Sequence, residues 1–201
     1  QDVIELAEHA SCPVINALSD DRHPCQALTD LLTIQEELGG LEGRRLVFVG
    51  DGNNVAASLA VASALTGLHM TISTPAGYEL DAGCLAELTD RVPGAEVTIE
   101  PDPRAAVAEA DIVYTDVWAS MGQESESAER EQVFAAYQVN ANLMEAAPAD
   151  CRFMHDLPAR RGLEVTDEVI DGPQSIVFRQ ADNRLHLAKA LLVWLLGRGE
   201  G

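Results

Sequence analysis

The chain has 201 residues, 47% of them hydrophobic, which suffices for one or two small domains with a buried core and excludes wholesale disorder. Its 33 acidic residues outnumber 13 basic ones, and the formal charge of −20 argues against a nucleic-acid partner because carboxylates repel a phosphate backbone. The four cysteines show no paired metal spacing, and nothing resembles a signal peptide or a membrane span, so we expect a reduced, cytoplasmic protein without a membrane partner.

The beginning of the chain predicts two helices with a short strand between them. The first sixteen residues predict a short amphipathic helix and then a strand at residues 14–16, for which no sheet is evident. A longer helix is predicted to begin at Pro24, because proline suits the first helical position, and to end at the glycine pair Gly39 and Gly40.

The middle of the chain alternates strands with helices, which predicts an α/β fold with a doubly wound parallel sheet. A last helix, from about Asp182 to Leu196, carries more apolar surface than one face of a sheet requires, so we expect it to pack on something else as well. The predicted strands are Arg45–Val49, His69–Ser73, 96–100, Ile112–Thr115 and Arg152–His155, with helices at 55–66, 82–91 and 103–110 between them.

The first candidate site is the glycine-containing turn at residues 50–54, between a predicted strand and a helix. Its glycines allow a tight turn, and the helix amino terminus beyond it could hold an anion. Dinucleotide binding is disfavoured, because Ala56 stands where a third glycine is needed and no acidic residue follows the next strand. On the turn alone, a plain strand-to-helix turn capped by Asn54 is the simpler interpretation.

The second candidate is the start of the helix at Pro24. His23 and Gln26 lie three residues apart and so face the same side of its first turn. His23 could donate a hydrogen bond to a carbonyl oxygen and stabilise developing charge there, while Gln26 could bind an amide. The alternative is that His23 merely caps the helix.

Two further candidates offer charged groups. The segment at residues 116–122 directly follows a predicted strand, where Asp116 suits an ammonium group, Ser120 offers a hydroxyl and Gly122 allows a ligand to approach the backbone. Arg184, at the start of the last helix, suits a phosphate or a carboxylate. An ordinary loop and a solvated arginine are the corresponding alternatives.

The segment at residues 155–158 sets an imidazole beside a carboxylate at the end of the last predicted strand. Ligands of open parallel sheets bind at the carboxyl ends of the strands, so His155 and Asp156 could form a catalytic pair. Pro158 makes the following loop more rigid.

Together and in chain order, the segments at residues 23–26, 50–54, 116–122 and 183–186 resemble the aspartate/ornithine carbamoyltransferase family, in its ornithine branch, over nearly the whole chain. Residues 23–26 resemble the carbamoyl-phosphate motif, and residues 50–54 and 116–122 resemble the ornithine-binding turn and loop. Residues 164–169, 175–178 and 183–186 also follow the family pattern. The 116–122 loop is the specific part, because the aspartate enzymes recognise a dicarboxylate with basic residues instead.

The resemblance implies transfer of the carbamoyl group of carbamoyl phosphate to the side-chain amine of ornithine, which gives citrulline and phosphate in arginine metabolism. No metal or organic cofactor is implied, and the family assembles as trimers or multiples of trimers. The implied carbamoyl-phosphate ligands are His23, Gln26, Leu157 and Arg184, the ornithine ligands are Asn54, Asp116, Ser120 and Met121, and the catalytic residues are His23, Arg184 and Asp156.

The family's main phosphate-binding element, a Ser-Thr-Arg-Thr-Arg loop, is absent from the sequence. We therefore expect a fragment that binds carbamoyl phosphate poorly by itself. Its expected parts are the end of the carbamoyl-phosphate domain with a linking helix (1–36), a Rossmann-like ornithine-binding domain (37–178) and a C-terminal helix that packs back on the first domain (179–201). The alternatives are a non-catalytic amino-acid-binding or regulatory relative and a carbamoyltransferase for another amine.

The second departure is Asp156, which stands where the ornithine enzymes usually carry cysteine. A carboxylate near the bound amine would favour its ammonium form and oppose attack, or it would accept the proton of the attacking amine as a base. The first interpretation is that the family tolerates this replacement, because the backbone carbonyl of Leu157 can still bind the carbamoyl amide. The second interpretation is that the amine substrate differs.

The charge balance predicts a protein that depends on salt for its stability. Only Lys189 among the basic residues is a lysine, and an acidic chain with almost no lysine is expected in a salt-rich cytosol, where its charges are screened and hydrated. The free energy of unfolding should therefore rise between low and molar salt in urea titrations. Equal stability in both would contradict the halophilic interpretation.

Overall fold

Five parallel strands form the centre of the computed structural model, which describes residues 2–93, 95, 97–119 and 126–197. From β1 the chain builds outward to β2 and β3 and then returns to add β4 and β5 on the other side. The switch point of the sheet therefore lies between the carboxyl ends of β1 and β4, where such folds bind ligands. The strands are β1 (Arg45–Val49), β2 (His69–Ser73), β3 (Val97–Ile99), β4 (Ile112–Thr115) and β5 (Arg152–His155), in the order β3-β2-β1-β4-β5.

Helices cover both faces of the sheet, as the alternating pattern predicts. β1 is buried on both sides, with Phe48 in one apolar cluster and Val47 in the other, which explains its uninterrupted apolar run. The helices are α1 (Asp2–His9), α2 (Pro24–Leu38), α3 (Asn54–Thr66), α4 (Ala82–Arg91), α5 (Pro103–Val107), α6 (Ser127–Phe134), α7 (Ala141–Met144), α8 (Asp167–Ile170) and α9 (Val177–Gly197), with a 3-10 turn at Ala135–Tyr137.

The predicted α/β fold is confirmed, and three predicted elements are corrected. Residues 14–16 form no strand, because they pair with none of the five strands. The helix predicted over 103–110 ends at Val107, because the N–H groups of Ala108 and Ala110 bond to carbonyls only three residues back, as in a turn. The last helix begins at Val177 rather than near Asp182, since its first turn is held by burial of Val177 and Gln180. The start at Pro24 and the stop at Gly39, which has a left-handed φ of 72°, are as predicted.

The closing helix α9 has two different halves. Its first half packs along α2, where Asn183 donates hydrogen bonds to Thr33 Oγ1 at 3.0 Å and to Glu36 Oε2 at 2.9 Å. Its second half exposes large apolar side chains, among them Leu192 and Val193. None of the described helices is both long and apolar enough to cross a membrane. The predicted domain boundaries remain predictions.

Candidate functional site

The side chain of Asn53 links the end of β1 to the end of β4. Its Oδ1 accepts hydrogen bonds from the backbone N–H groups of Val55 and Ala56 at 3.0 and 3.1 Å and so caps α3. Its Nδ2 donates to Asp116 Oδ2 at 2.7 Å. The prediction that Asn54 caps this helix is wrong, because Asn54 is already its first residue and the extended backbone needed for capping belongs to Asn53.

Asn54 and Gly52 connect the turn to its neighbours. The amide of Asn54 donates to the Ser19 carbonyl at 2.7 Å and brings the segment before α2 against the turn. A Cβ on Gly52 would lie 2.5 Å from the backbone of Glu79 and Leu80. Close packing of the protein's own backbone therefore requires this glycine, and no ligand phosphate is needed to account for it.

Asp116 lies at the mouth of the switch point and is largely buried. Its second carboxylate oxygen accepts a hydrogen bond from the Val117 N–H at 2.6 Å, so both oxygens have a protein donor. Ser120 and Met121, which were predicted beside it, lie outside the described residues, as does Gly122.

Arg130 is a residue of this site that the sequence did not reveal. It is buried, and its Nη1 donates to Asp51 Oδ2 at 2.7 Å in the turn and to the Trp118 carbonyl at 2.9 Å in the loop. Its guanidinium also stacks 5.1 Å over the Tyr78 ring. In the sequence it reads as an ordinary helical surface pair with Glu126, four residues away.

His23, Gln26 and Arg184 come together at the amino end of α2. Arg184 on α9 donates to Gln26 Oε1 at 2.5 Å. Burial first, and then the positive charge of Arg184, lower the pKa of His23, which keeps its imidazole neutral near pH 7, while the charge of Asp116 acts in the opposite direction. His23 thus lies within electrostatic reach of both a cation and the carboxylate at the switch point.

Beneath these residues lies the fully buried Asp30. Its carboxylate accepts hydrogen bonds from Gln26 at 2.8 Å, Gln180 at 2.7 Å and the Tyr114 hydroxyl at 3.2 Å. Burial raises the pKa of Asp30 to about 7, although these donors oppose the shift. The position of Asp30 among the apolar residues of the predicted helix could have indicated its burial, but Asp30 was not among the predicted site residues.

His155 and Asp156 do not form the catalytic pair that their adjacency suggests. Nδ1 of the fully buried His155 accepts a hydrogen bond from the Leu157 N–H at 2.9 Å, so the ring proton is on Nε2, which faces Glu164 Oε1 at 3.2 Å. Nδ1 lies 3.5 Å from Asp156 Oδ1, but it carries no proton that it could donate to this oxygen. His155 instead fixes the backbone of Leu157, whose φ is 59°.

One triad within the described residues has the geometry of a possible metal site. The ligand atoms of Asp116, His155 and Asp156 lie within 4.8 Å of one another. Both ring nitrogens of His155 are already engaged, so this histidine has no lone pair left for a metal ion.

Two family models match the chain. One describes the Asp/Orn binding domain of aspartate/ornithine carbamoyltransferase and matches residues 42–195, and the other describes its carbamoyl-P binding domain and matches residues 1–36.

Individual proteins give the same comparison. The chain is 52% identical over 201 residues to the ornithine carbamoyltransferase of Acidothermus cellulolyticus, covering 99% of this chain and 64% of that protein. It is 54% identical over 199 residues to that of Methanothermobacter thermautotrophicus, covering 98% and 65%. The solved ornithine carbamoyltransferase from Pyrococcus furiosus superposes with a TM-score of 0.90 at 50% identity, covering 98% of this chain and 63% of that one. The chain thus spans just under two thirds of the length of these relatives.

Replacing Arg130 with Met should lower the free energy of unfolding by about 3 kcal/mol, because it keeps the aliphatic stem but leaves the buried Asp51 carboxylate without its cation. Arg161→Met is the matched control, since it also removes an arginine from two carboxylates, but on the surface, and it should cost little. Urea unfolding measures both. Equal losses would contradict a special role for Arg130.

Replacing Asp30 with Asn should flatten the pH dependence of stability. The pKa of this group rises from 3.8 to about 7 on folding, so its contribution to the free energy of unfolding falls as the pH rises from about 4 to about 7. Asn cannot ionise and removes that fall. Urea titrations at several pH values across this window, with the exposed Asp150→Asn as control, test the prediction, and unchanged slopes would refute it.

Proposed function

Because the chain belongs to the aspartate/ornithine carbamoyltransferase family, we propose that it serves the transfer of a carbamoyl group from carbamoyl phosphate to the side-chain amine of L-ornithine. The products are L-citrulline and phosphate. One observation carries the proposal: at the switch point of the sheet, the carboxylate of Asp116 lies within electrostatic reach of the His23 imidazole, which is also influenced by Arg184. Ornithine requires a carboxylate that pairs with its ammonium group, and carbamoyl phosphate requires hydrogen-bond donors to its carbonyl oxygen.

At the carbamoyl end, His23 and Arg184 stabilise the transition state. Attack of a neutral amine on the carbamoyl carbon builds negative charge on the carbonyl oxygen, and donors placed there lower the barrier. A neutral His23 donates a hydrogen bond without adding a second full charge, while Arg184 supplies the charge. The phosphate then departs with the electrons of the broken carbon–oxygen bond and takes up the proton that the attacking amine nitrogen loses.

Gln26 and Leu157 orient the carbamoyl amide in this proposal. Gln26 Oε1 accepts from Arg184 and keeps a lone pair for a substrate N–H. The backbone of Leu157 is held in its left-handed conformation by His155, which makes its carbonyl a rigid candidate acceptor for the same amide. His155 is accordingly a positioning residue.

At the ornithine end, Asp116 pairs with the α-ammonium and aims the side-chain amine at the carbamoyl carbon. Asn54 contributes its side-chain carbonyl, because its amide nitrogen is used by Ser19. We retain Ser120 and Met121 as further ornithine ligands, on the resemblance alone. The resemblance implies Asp156 as a third catalytic residue; because its carboxyl group lies within 4.8 Å of that of Asp116, we assign it a positioning role beside Asp116 rather than contact with the reacting atoms.

The wider setting is also part of the proposal and rests on the family resemblance. It comprises arginine biosynthesis in the cytoplasm, assembly as a homotrimer, and a reaction that needs no metal or organic cofactor, because carbamoyl phosphate is already an activated acyl donor. The acidic composition is compatible with this setting.

The test combines binding with turnover. Calorimetry on the 201-residue chain should detect ornithine, and Asp116→Asn should weaken its binding at least tenfold, as expected for loss of a charge-assisted hydrogen bond. Asp150→Asn, which alters an exposed carboxylate, should bind like the parent. Citrulline formation is measured on the whole protein encoded by the reading frame.

Three outcomes separate the alternatives. Ornithine binding without citrulline formation would favour a non-catalytic amino-acid-binding relative. Turnover of another amine in preference to ornithine would favour a different carbamoyltransferase. Binding of neither ornithine nor carbamoyl phosphate by the whole protein would overturn the proposal.

A further inference from the structure

Asp156 has a largely buried carboxyl group without a cation beside it in the described part of the chain. Its side chain is 9% exposed, and its Oδ1 has no hydrogen-bond partner among the described residues. The nearest ring nitrogen, Nδ1 of His155, already accepts from the Leu157 N–H and cannot donate to it. An ionised carboxylate here would therefore be desolvated without compensation.

The nearest charged neighbour makes ionisation still less favourable. A carboxylate oxygen of Asp116 lies within 4.8 Å of one of Asp156, and like charges at this separation in a largely buried site repel strongly. Burial first, and then the charge of Asp116 and a hydrogen bond with it, raise the pKa of Asp156 well above its usual range. The buried Asp30 acts in the same direction.

The hydrogen bonds decide which partner of the pair keeps the negative charge. Both oxygens of Asp116 accept from N–H donors, those of Asn53 and Val117, and such donors favour the ionised form. Oδ1 of Asp156 has no such donor. One proton shared between the two groups is therefore held on Asp156.

We propose that Asp156 is a neutral carboxylic acid that donates its proton to Asp116, so that the pair presents a single negative charge to an amino-acid substrate. The inference rests on the proposed function only for the identity of that substrate. Ornithine carries two amino groups, and the reaction needs one as an ammonium for recognition and the other as a neutral nucleophile. A pair with one negative charge matches one ammonium.

This state also accounts for a carboxyl group at a position where the family usually carries a thiol. A second negative charge would favour the ammonium form of the attacking amine and slow its reaction. A protonated Asp156 avoids that penalty, as a neutral thiol does. Asp156 is thus a positioning residue that acts through Asp116.

The other ionisable groups around the pair do not supply the missing cation. Arg130 is committed to Asp51 and Glu126, and Arg184 acts on His23 and Asp30. The groups that face the pair or its immediate surroundings are His23 and Asp30 on α2, Asp51 in the turn after β1, Tyr114 on β4, Arg130 on α6, His155 on β5 and Arg184 on α9.

The direct test is carbon-13 NMR of the chain with labelled aspartate carboxyl carbons, titrated with pH. We expect one signal, absent from Asp156→Asn, to remain that of a protonated carboxyl at neutral pH and to titrate only above it. In Asp116→Asn the same signal should titrate at lower pH, because the negative neighbour is gone. An Asp156 signal already ionised at pH 5 would overturn the proposal.

The functional test compares two neutral replacements. Asp156→Asn and Asp156→Cys should bind ornithine within about threefold of the parent at neutral pH, because each replaces a neutral carboxyl group with another neutral group and leaves the single negative charge of Asp116. Both should lose the additional dependence of ornithine affinity on pH that ionisation of Asp156 gives the parent at higher pH. A tenfold or greater loss in both variants at neutral pH would show that the carboxylate itself is required, as a base or as a charge.

The two proposals fail separately. The NMR titration requires neither ornithine nor turnover, so a protonated Asp156 in a protein that binds no ornithine would support the shared proton and overturn the proposed substrate. If Asp156→Asn does not fold, Asp156→Cys and the shift of the Asp156 signal in Asp116→Asn still decide the question.

Discussion

The geometry of the site depends on the hydrogen bonds of Asn53. This side chain caps α3 through its oxygen and holds Asp116 through its nitrogen, so one amide ties the end of β1 to the end of β4. The link is possible because the sheet order makes these two strands neighbours although 63 residues separate the two side chains along the chain. Arg130 makes a second connection between the same two segments, through Asp51 and Trp118. The two loops at this edge of the sheet therefore stabilise each other's conformation.

Much of the fold followed from local patterns, because a buried parallel strand needs an apolar run and a helix needs its caps. The sequence also predicted a candidate site at the strand ends, a rule that depends only on topology, and the structure brings Asn53 and Asp116 together there. That these residues bind substrates remains a prediction. Contacts between residues that are distant in the chain could not be predicted from the sequence. The Glu126 and Arg130 spacing is the same whether the arginine is solvated or buried, and only the fold shows that it reaches Asp51. Asn53 and Asn54 are equally good caps by composition, and the choice was made by where α3 begins.

The pairing of His155 with Asp156 shows a different limit. Adjacent residues of opposite charge preference suggest an ion pair, but the backbone N–H of Leu157 occupies the nitrogen that would have donated. Backbone groups compete for side-chain atoms, and a sequence does not record that competition.

The acidic character of the protein also differs between surface and interior: the formal charge of −20 counts every carboxylate as ionised, whereas burial favours the neutral form of Asp30 and Asp156.

The hydrogen bonds of Gln26 have a consequence for substrate discrimination. Asp30 accepts from its nitrogen and Arg184 donates to its oxygen, so the amide is locked in one of its two possible orientations. In the proposed reaction it can then offer the substrate only an acceptor on the Arg184 side. A carbamoyl group can satisfy that acceptor with its NH₂, whereas an acetyl group of similar shape would present a methyl and leave the second lone pair of the Gln26 oxygen without a donor. By fixing the orientation of the Gln26 amide, Asp30 and Arg184 would thus make the site prefer a carbamoyl NH₂ to a methyl group.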